Sequence, residues 1–208
     1  MNTAALLERA DIWRGGSPSP RFRGGTVASG HPGLDAELGG WPLGCLTELL
    51  LPAAGVGEVS LLLPALARLA EDGRRLLWVA PPYLPYAPAL AAAGIPSGAL
   101  RVVRTADAAG CWWAMEQALK SGVCGAVLGW MRQASLRRLR RLQLAAEAGE
   151  ALAVLLRPAT CARQHSPAAL RLALHPVAGG LEVEILKRRG GWGRRTLRLA
   201  PGHAVVRA

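Results

Sequence analysis

The segment Leu51-Pro52-Ala53-Ala54-Gly55-Val56-Gly57-Glu58-Val59-Ser60 stands between a strand candidate and a helix candidate. A phosphate-binding loop at such a junction reads G-x-x-x-x-G-K-[ST]. Its backbone N–H groups wrap the phosphates, its lysine neutralises the β- and γ-phosphates, and its hydroxyl holds Mg2+. Here Leu51 takes the place of the first glycine, the loop is one residue longer, and Glu58 stands where the lysine belongs. A carboxylate about 4 Å from a phosphate is repelled by ~4 kcal/mol per pair of unit charges at an effective dielectric of ~20. Pro52, Gly55, Gly57, Glu58 and Ser60 therefore form a degenerate loop expected to bind no nucleotide cofactor. Pro64 points the same way. Inside a helix begun at Glu58 it would cost ~3 kcal/mol, which predicts a start near Leu61 or a kink. Metal chemistry has no better footing. Cys45, Cys111, Cys124 and Cys161 form no C-x-x-C pair and show no metal-ligand spacing, so they read as small buried hydrophobes.

The elements around this loop follow from pattern. The 208 residues fit one domain with a short appendage, large enough to fold without disulfides or metals. No apolar run reaches the ~18 residues of a membrane span, and residues 1–13 lack the basic start and apolar stretch of a signal peptide. A cytoplasmic protein is expected. Residues 3–13 read as a short amphipathic helix with Leu6, Ala10 and Trp13 on one face, and 14–25 as a flexible Gly/Ser/Pro linker. The core is expected over residues 26–208. Strands are predicted at 46–51, 75–80, 100–104, 125–130 and 151–156. Between them lie helices ending at Gly73 and Gly94 and helices over 107–121 and 134–150. This βα alternation predicts a mostly parallel sheet with helices on both faces. The alternating segments 170–174, 181–186 and 196–200 predict an antiparallel C-terminal extension on one sheet edge.

Further features then align with a known fold. Ser29-Gly30, Leu34-Asp35, GGWPLG at 39–44, Glu48 in the first core strand, SG at 121–122 and the hairpin ending LEVEILKRRGG resemble the RecA core over residues 27–200. A narrower likeness comes from GGWPLGCLTELLLPAAGVGE, LLLPALARL, WVAPPYLPYAPAL, AVLGW, LRRLQLAAEAGEAL, SPAALRL and LKRRGG. Together these resemble ImuA, the RecA-like accessory family of damage-induced mutagenesis. That resemblance implies a non-catalytic adaptor in SOS-induced translesion synthesis, with an ImuB-like protein and an error-prone C-family DNA polymerase as partners, and RecA or a second copy as further ones. The rival reading is the SulA family, a RecA-like division inhibitor that binds FtsZ.

The RecA alignment also places two lost acids. Pro82 stands where a catalytic acid follows the second core strand, and Trp130, beside Gly129, stands at the Walker B aspartate. Neither binds Mg2+ or activates water, so no enzyme is expected. The segments matching the two RecA DNA loops, MRQAS at 131–135 and ATCARQHSPA at 159–168, are short. DNA contact is thus expected to be weak and non-specific, despite a formal charge of +11. Lys187 and Arg189 fall near RecA positions that reach a neighbouring subunit's nucleotide. With Arg188, Trp192, Arg194 and Arg195 they read as contacts to nucleic acid or an acidic partner, or as a solvated strand end. Tyr83 and Tyr86 lie in a Pro-rich loop at a strand's carboxyl end, either as a docking surface or as a cover for the sheet end. Leu6, Ala10 and Trp13 are expected to bind a partner.

Overall fold

A computed structural model describes residues 25–190 and 194–200. Two short strands, β1 (Thr26–Val27) and β2 (Trp41–Pro42), pair antiparallel. The main sheet has eight strands: β3 (Cys45–Leu51), β4 (Arg75–Val79), β5 (Leu100–Val103), β6 (Cys124–Trp130), β7 (Leu152–Pro158), β8 (Leu170–Val177), β9 (Gly180–Arg188) and β10 (Arg195–Leu199). Their order is β10-β9-β8-β3-β7-β6-β4-β5. From β5 to β8 every neighbouring pair is parallel, and β9 and β10 add as an antiparallel hairpin. The expected mixed α/β fold holds. One detail differs: β8 belongs to the parallel sheet, pairing Thr47 with Leu170 and Leu50 with Ala173. The chain leaves β7 through a 3-10 turn, Ala159–Arg163, and returns on the far side of β3, so β8 runs alongside it.

The helices cover both faces. α1 (Pro32–Leu38), α2 (Glu58–Glu71) and α3 (Ala87–Ala92) share one core with Leu49, Trp78, Leu128, Val154 and Leu172. α4 (Ala108–Lys120) and α5 (Leu136–Gly149) share the other with Leu46, Val127 and Leu155. Strand β7 shows the two-residue period that feeds both: Leu152, Val154 and Leu156 face the first core, Ala153 and Leu155 the second. The expected late start near Leu61 is corrected. Helix α2 begins at Glu58 and runs to Glu71 with Pro64 inside it. The proline ring serves as a packing surface, because a Cβ on Gly30 would come within 2.4 Å of Pro64 Cβ. Gly30, at φ 79°, lets the entry segment lie against it.

Three charges meet inside the sheet. Glu48 Oε1 accepts from Arg157 Nη1 at 2.7 Å, and Oε2 accepts from Arg171 Nε at 2.6 Å. All three residues are buried. Register explains the meeting: Glu48 is opposite Arg171 on β8, and Arg157 lies two residues beyond Leu155, the partner of Glu48 on β7. The second guanidinium also donates to the carbonyls of Ala162 and Cys161, and the first to Gln164 Oε1, so the 3-10 turn is tied to the same carboxylate. Removing one member of a buried ionic group leaves the others uncompensated. Glu48→Gln is expected to destabilise the fold by ~3–5 kcal/mol, read in a thermal melt as a Tm lower by about 10 °C.

A second acid joins α4 to α5. Glu116 accepts from Lys120 Nζ at 2.7 Å and pairs with Arg141 Nη2 at 2.6 Å. The Lys120 hydrogen bond, with that of Arg141, holds the Glu116 carboxyl below its ordinary range against the opposing effect of burial. A folded-state pKa below the unfolded value adds stability that is present above the unfolded value and lost as pH falls through the folded one. Glu116→Gln is expected to lower Tm at neutral pH, with the gap from the unsubstituted chain closing as pH falls below the ordinary carboxylate range.

Candidate functional site

Strand β3 delivers the chain into the degenerate loop, and α2 takes it away. Gly55 (φ 83°) and Gly57 (φ 103°) hold the left-handed conformations that turn it. Glu58, the first helical residue, folds its carboxyl back: Oε1 accepts the Gly55 N–H at 2.9 Å. Phosphate sites use this combination of loop amides and a helix N-terminus to hold an external anion. Here the chain's own carboxylate, only 3% exposed, takes that place. Ser60 lines the groove above, and Pro52 lines a smaller adjoining cavity of about 390 Å3.

The positions of the two lost acids complete the change. Trp130 ends β6 and tilts against Trp78, with ring centroids 5.6 Å apart. Neighbouring Gly129 serves packing, since a Cβ there would meet Met115 Sδ at 2.2 Å. Strand β4 leaves the sheet through Ala80, whose φ of 52° turns the chain into the Pro81–Tyr86 loop. Pro82 sits in that loop. The result is a groove of about 800 Å3 walled by indole, proline and aliphatic groups, in which Glu58 supplies the carboxylate. Tyr83 and Tyr86 do not cover the sheet end. They are 67% and 60% exposed, and Leu84 between them is 80% exposed. The sequence placed Leu84 in the same loop as the two tyrosines but did not point to Trp78.

The remaining candidate residues lie apart from this groove. Lys187 Nζ donates to the Ser166 carbonyl at 2.8 Å, and burial, with Arg171 and Arg189 nearby, pulls its pKa below the usual lysine range. Arg188 donates to the Glu37 carbonyl, and the Arg189 N–H to that of Ala169. Arg194 pairs with Glu184 at 3.1 Å and Arg195 with Glu37 at 3.4 Å. Lys187, Arg189, Arg194 and Arg195 are exposed and Arg188 is half-buried, so these contacts lie on a solvated strand end. Leu6, Ala10, Trp13 and Trp192 lie outside the described residues. Sequence reasoning found Glu48 but not its partners. The signal was Arg157 at the end of the apolar run ALAVLLR.

Fold and site together define a RecA-like domain in which a side chain of the protein occupies the phosphate position. The model of the family described as "Cell division inhibitor SulA" matches residues 44–153. A cell division inhibitor SulA of Edwardsiella piscicida is 35% identical over 62% of this chain and 82% of its own length. One from Serratia marcescens is 28% identical over 67% of this chain and 82% of its own. The crystal structure of SulA from Pseudomonas aeruginosa aligns with a TM-score of 0.45 and 27% identity, over 54% of this chain and 97% of that one. The chain belongs to the SulA family.

Membership of this family corrects the narrower resemblance. The chain is not an ImuA-like adaptor of translesion synthesis, and the ImuB-like, C-family polymerase and RecA partners fall with that reading. Most of the stretches that carried the likeness lie within 44–153, the part the SulA family matches. They record the shared scaffold and its lost phosphate site, which do not separate the two families. SulA is a division inhibitor, and the chain is a non-enzymatic, cytoplasmic member of that family. Among the described residues no helix is long and apolar enough to cross a membrane.

Calorimetry with Mg-ATP is expected to show no saturable binding at micromolar concentrations. Glu58→Lys alone is expected to leave turnover at background, since Pro82 and Trp130 still supply no acid for the metal or the water. Turnover in that single variant would mean that the acid positions are misplaced.

Proposed function

We propose that this chain inhibits cell division by binding the division protein FtsZ stoichiometrically, with Tyr83, Leu84 and Tyr86 as the docking edge. Family membership supports the inhibitory role. The observation that carries the choice of surface is the exposure of these three side chains, 60% or more each, along one apolar groove. Aromatic side chains at the rim of an apolar groove are the usual anchors of protein interfaces. Binding rather than catalysis follows from a phosphate position already filled by Glu58. Synthesis on DNA damage, an expectation tied to the SOS response, belongs to the same proposal.

Purified protein added to FtsZ at equimolar ratio is expected to suppress its polymerisation and GTP turnover, and expression in a rod-shaped bacterium to give filaments. The double variant Tyr83→Ala/Tyr86→Ala is expected to need about tenfold more protein for the same effect, with its thermal melt unchanged. Full inhibition by that variant would remove the docking edge. Unaffected FtsZ polymerisation with the unsubstituted chain would remove the function.

A further inference from the structure

The charge of the Tyr83 groove runs against that of the chain. The protein carries 25 basic and 14 acidic residues, yet among the described residues no Lys, Arg or His lines the groove, and Glu58 is the one charged residue that does. That carboxylate is half used. Oε1 is held by the Gly55 N–H, while Oε2 is buried with no hydrogen-bond partner among the described residues. A buried carboxylate oxygen without a donor lowers stability until a donor reaches it.

The walls define which donor fits. Trp78, Trp130, Tyr83, Tyr86 and Leu63 surround the groove with aromatic and aliphatic surface. The Tyr83 ring leans over the loop, with Cε2 3.7 Å from where a Cβ on Gly55 would stand. A long side chain with an apolar stem and a cationic head matches this arrangement. The stem lies along the walls, the rings face the cation, and the carboxylate receives it. An anion is repelled by Glu58, whose carboxylate already holds the Gly55 N–H of the loop. A purely apolar side chain leaves Oε2 unpaired.

We infer that the groove takes a lysine or arginine side chain presented by a polypeptide partner, and that its head donates to Glu58 Oε2. This rests on the docking surface proposed above and states what the docked segment must carry. Because Oε2 is shielded, entry requires the side chains over it to move.

The test uses the full chain and two probes, Nα-acetyl-arginine amide and its uncharged analogue Nα-acetyl-norleucine amide. Binding is read from the indole N–H resonances of Trp78 and Trp130. The arginine probe is expected to shift them saturably and to bind at least about tenfold more tightly than the norleucine probe. Glu58→Gln keeps an acceptor for the Gly55 N–H and removes the charge, so it is expected to abolish that preference. Equal binding of the two probes, unshifted resonances, or a preference that survives in Glu58→Gln overturns the inference. The comparison of probes on the unsubstituted chain stands even where the variant folds poorly. Weakened FtsZ binding by the tyrosine variant, together with failure of the arginine probe, keeps the docking surface and removes the cation from it.

Discussion

The buried carboxylate of Glu48 sets the arrangement of the middle of the sheet. It sits on the central strand β3 and reaches one guanidinium on each neighbouring strand, Arg157 on β7 and Arg171 on β8. Two cations on one anion leave a surplus positive charge in the interior, and the arginines spread it over the carbonyls of Cys161 and Ala162 and the amide oxygen of Gln164. The 3-10 turn is thereby held against the sheet. A slip of β8 by one residue would turn Arg171 to the opposite face, into the core occupied by Leu170 and Leu172, and strand its charge there. The triad therefore penalises wrong registers heavily, whatever its net contribution to stability.

Strand β3 carries the consequence to the site. Its carboxyl end runs from the triad into the loop, and the loop's first helical residue is a second inward-turned acid. Both carboxylates are internal, Glu48 fully and Glu58 nearly so. A formal charge of +11 thus describes the surface of this protein poorly at the Tyr83 groove. Overall charge suggested nucleic acid, while among the described residues no cation lines the groove itself. Local chemistry and bulk composition point to different partners, and the groove is the part that a ligand would meet.

The βα rhythm, the helix stops and the two-faced sheet were legible because period and glycine punctuation report them directly. Strand ends came within a residue or two except at β8, which runs on to Val177. The neighbour of β8 was not legible. The segment LRLAL alternates in the same way whether it pairs parallel or antiparallel, and only the short crossover through Ala159–Arg163 decides it. Pro64 misled because propensity treats a helix in isolation, whereas here its ring fills the space above Gly30. Substitution of the phosphate-loop lysine was plain in the sequence, but the inward fold of the Glu58 carboxyl was not. The family was misread for a related reason. Degenerate loop, missing acids and element order are common to sibling RecA-like proteins, and what separates them lies on partner surfaces that no motif reports.

The retained loop geometry has its own physical logic. The start of a 14-residue helix presents unpaired N–H groups and a partial positive charge, and two left-handed glycines in front of it aim further amides inward. Such a structure needs an acceptor whether or not a nucleotide is bound. Glu58 supplies one from within to the Gly55 N–H of the loop. Once the anion is internal, acids at the Mg2+ positions have nothing to hold and would be buried beside a like charge. Indole and proline at Trp130 and Pro82 remove that conflict and make the chamber apolar. The three replacements are thus one physical change: a cavity that held polyphosphate and metal becomes an aromatic groove with a carboxylate at its floor.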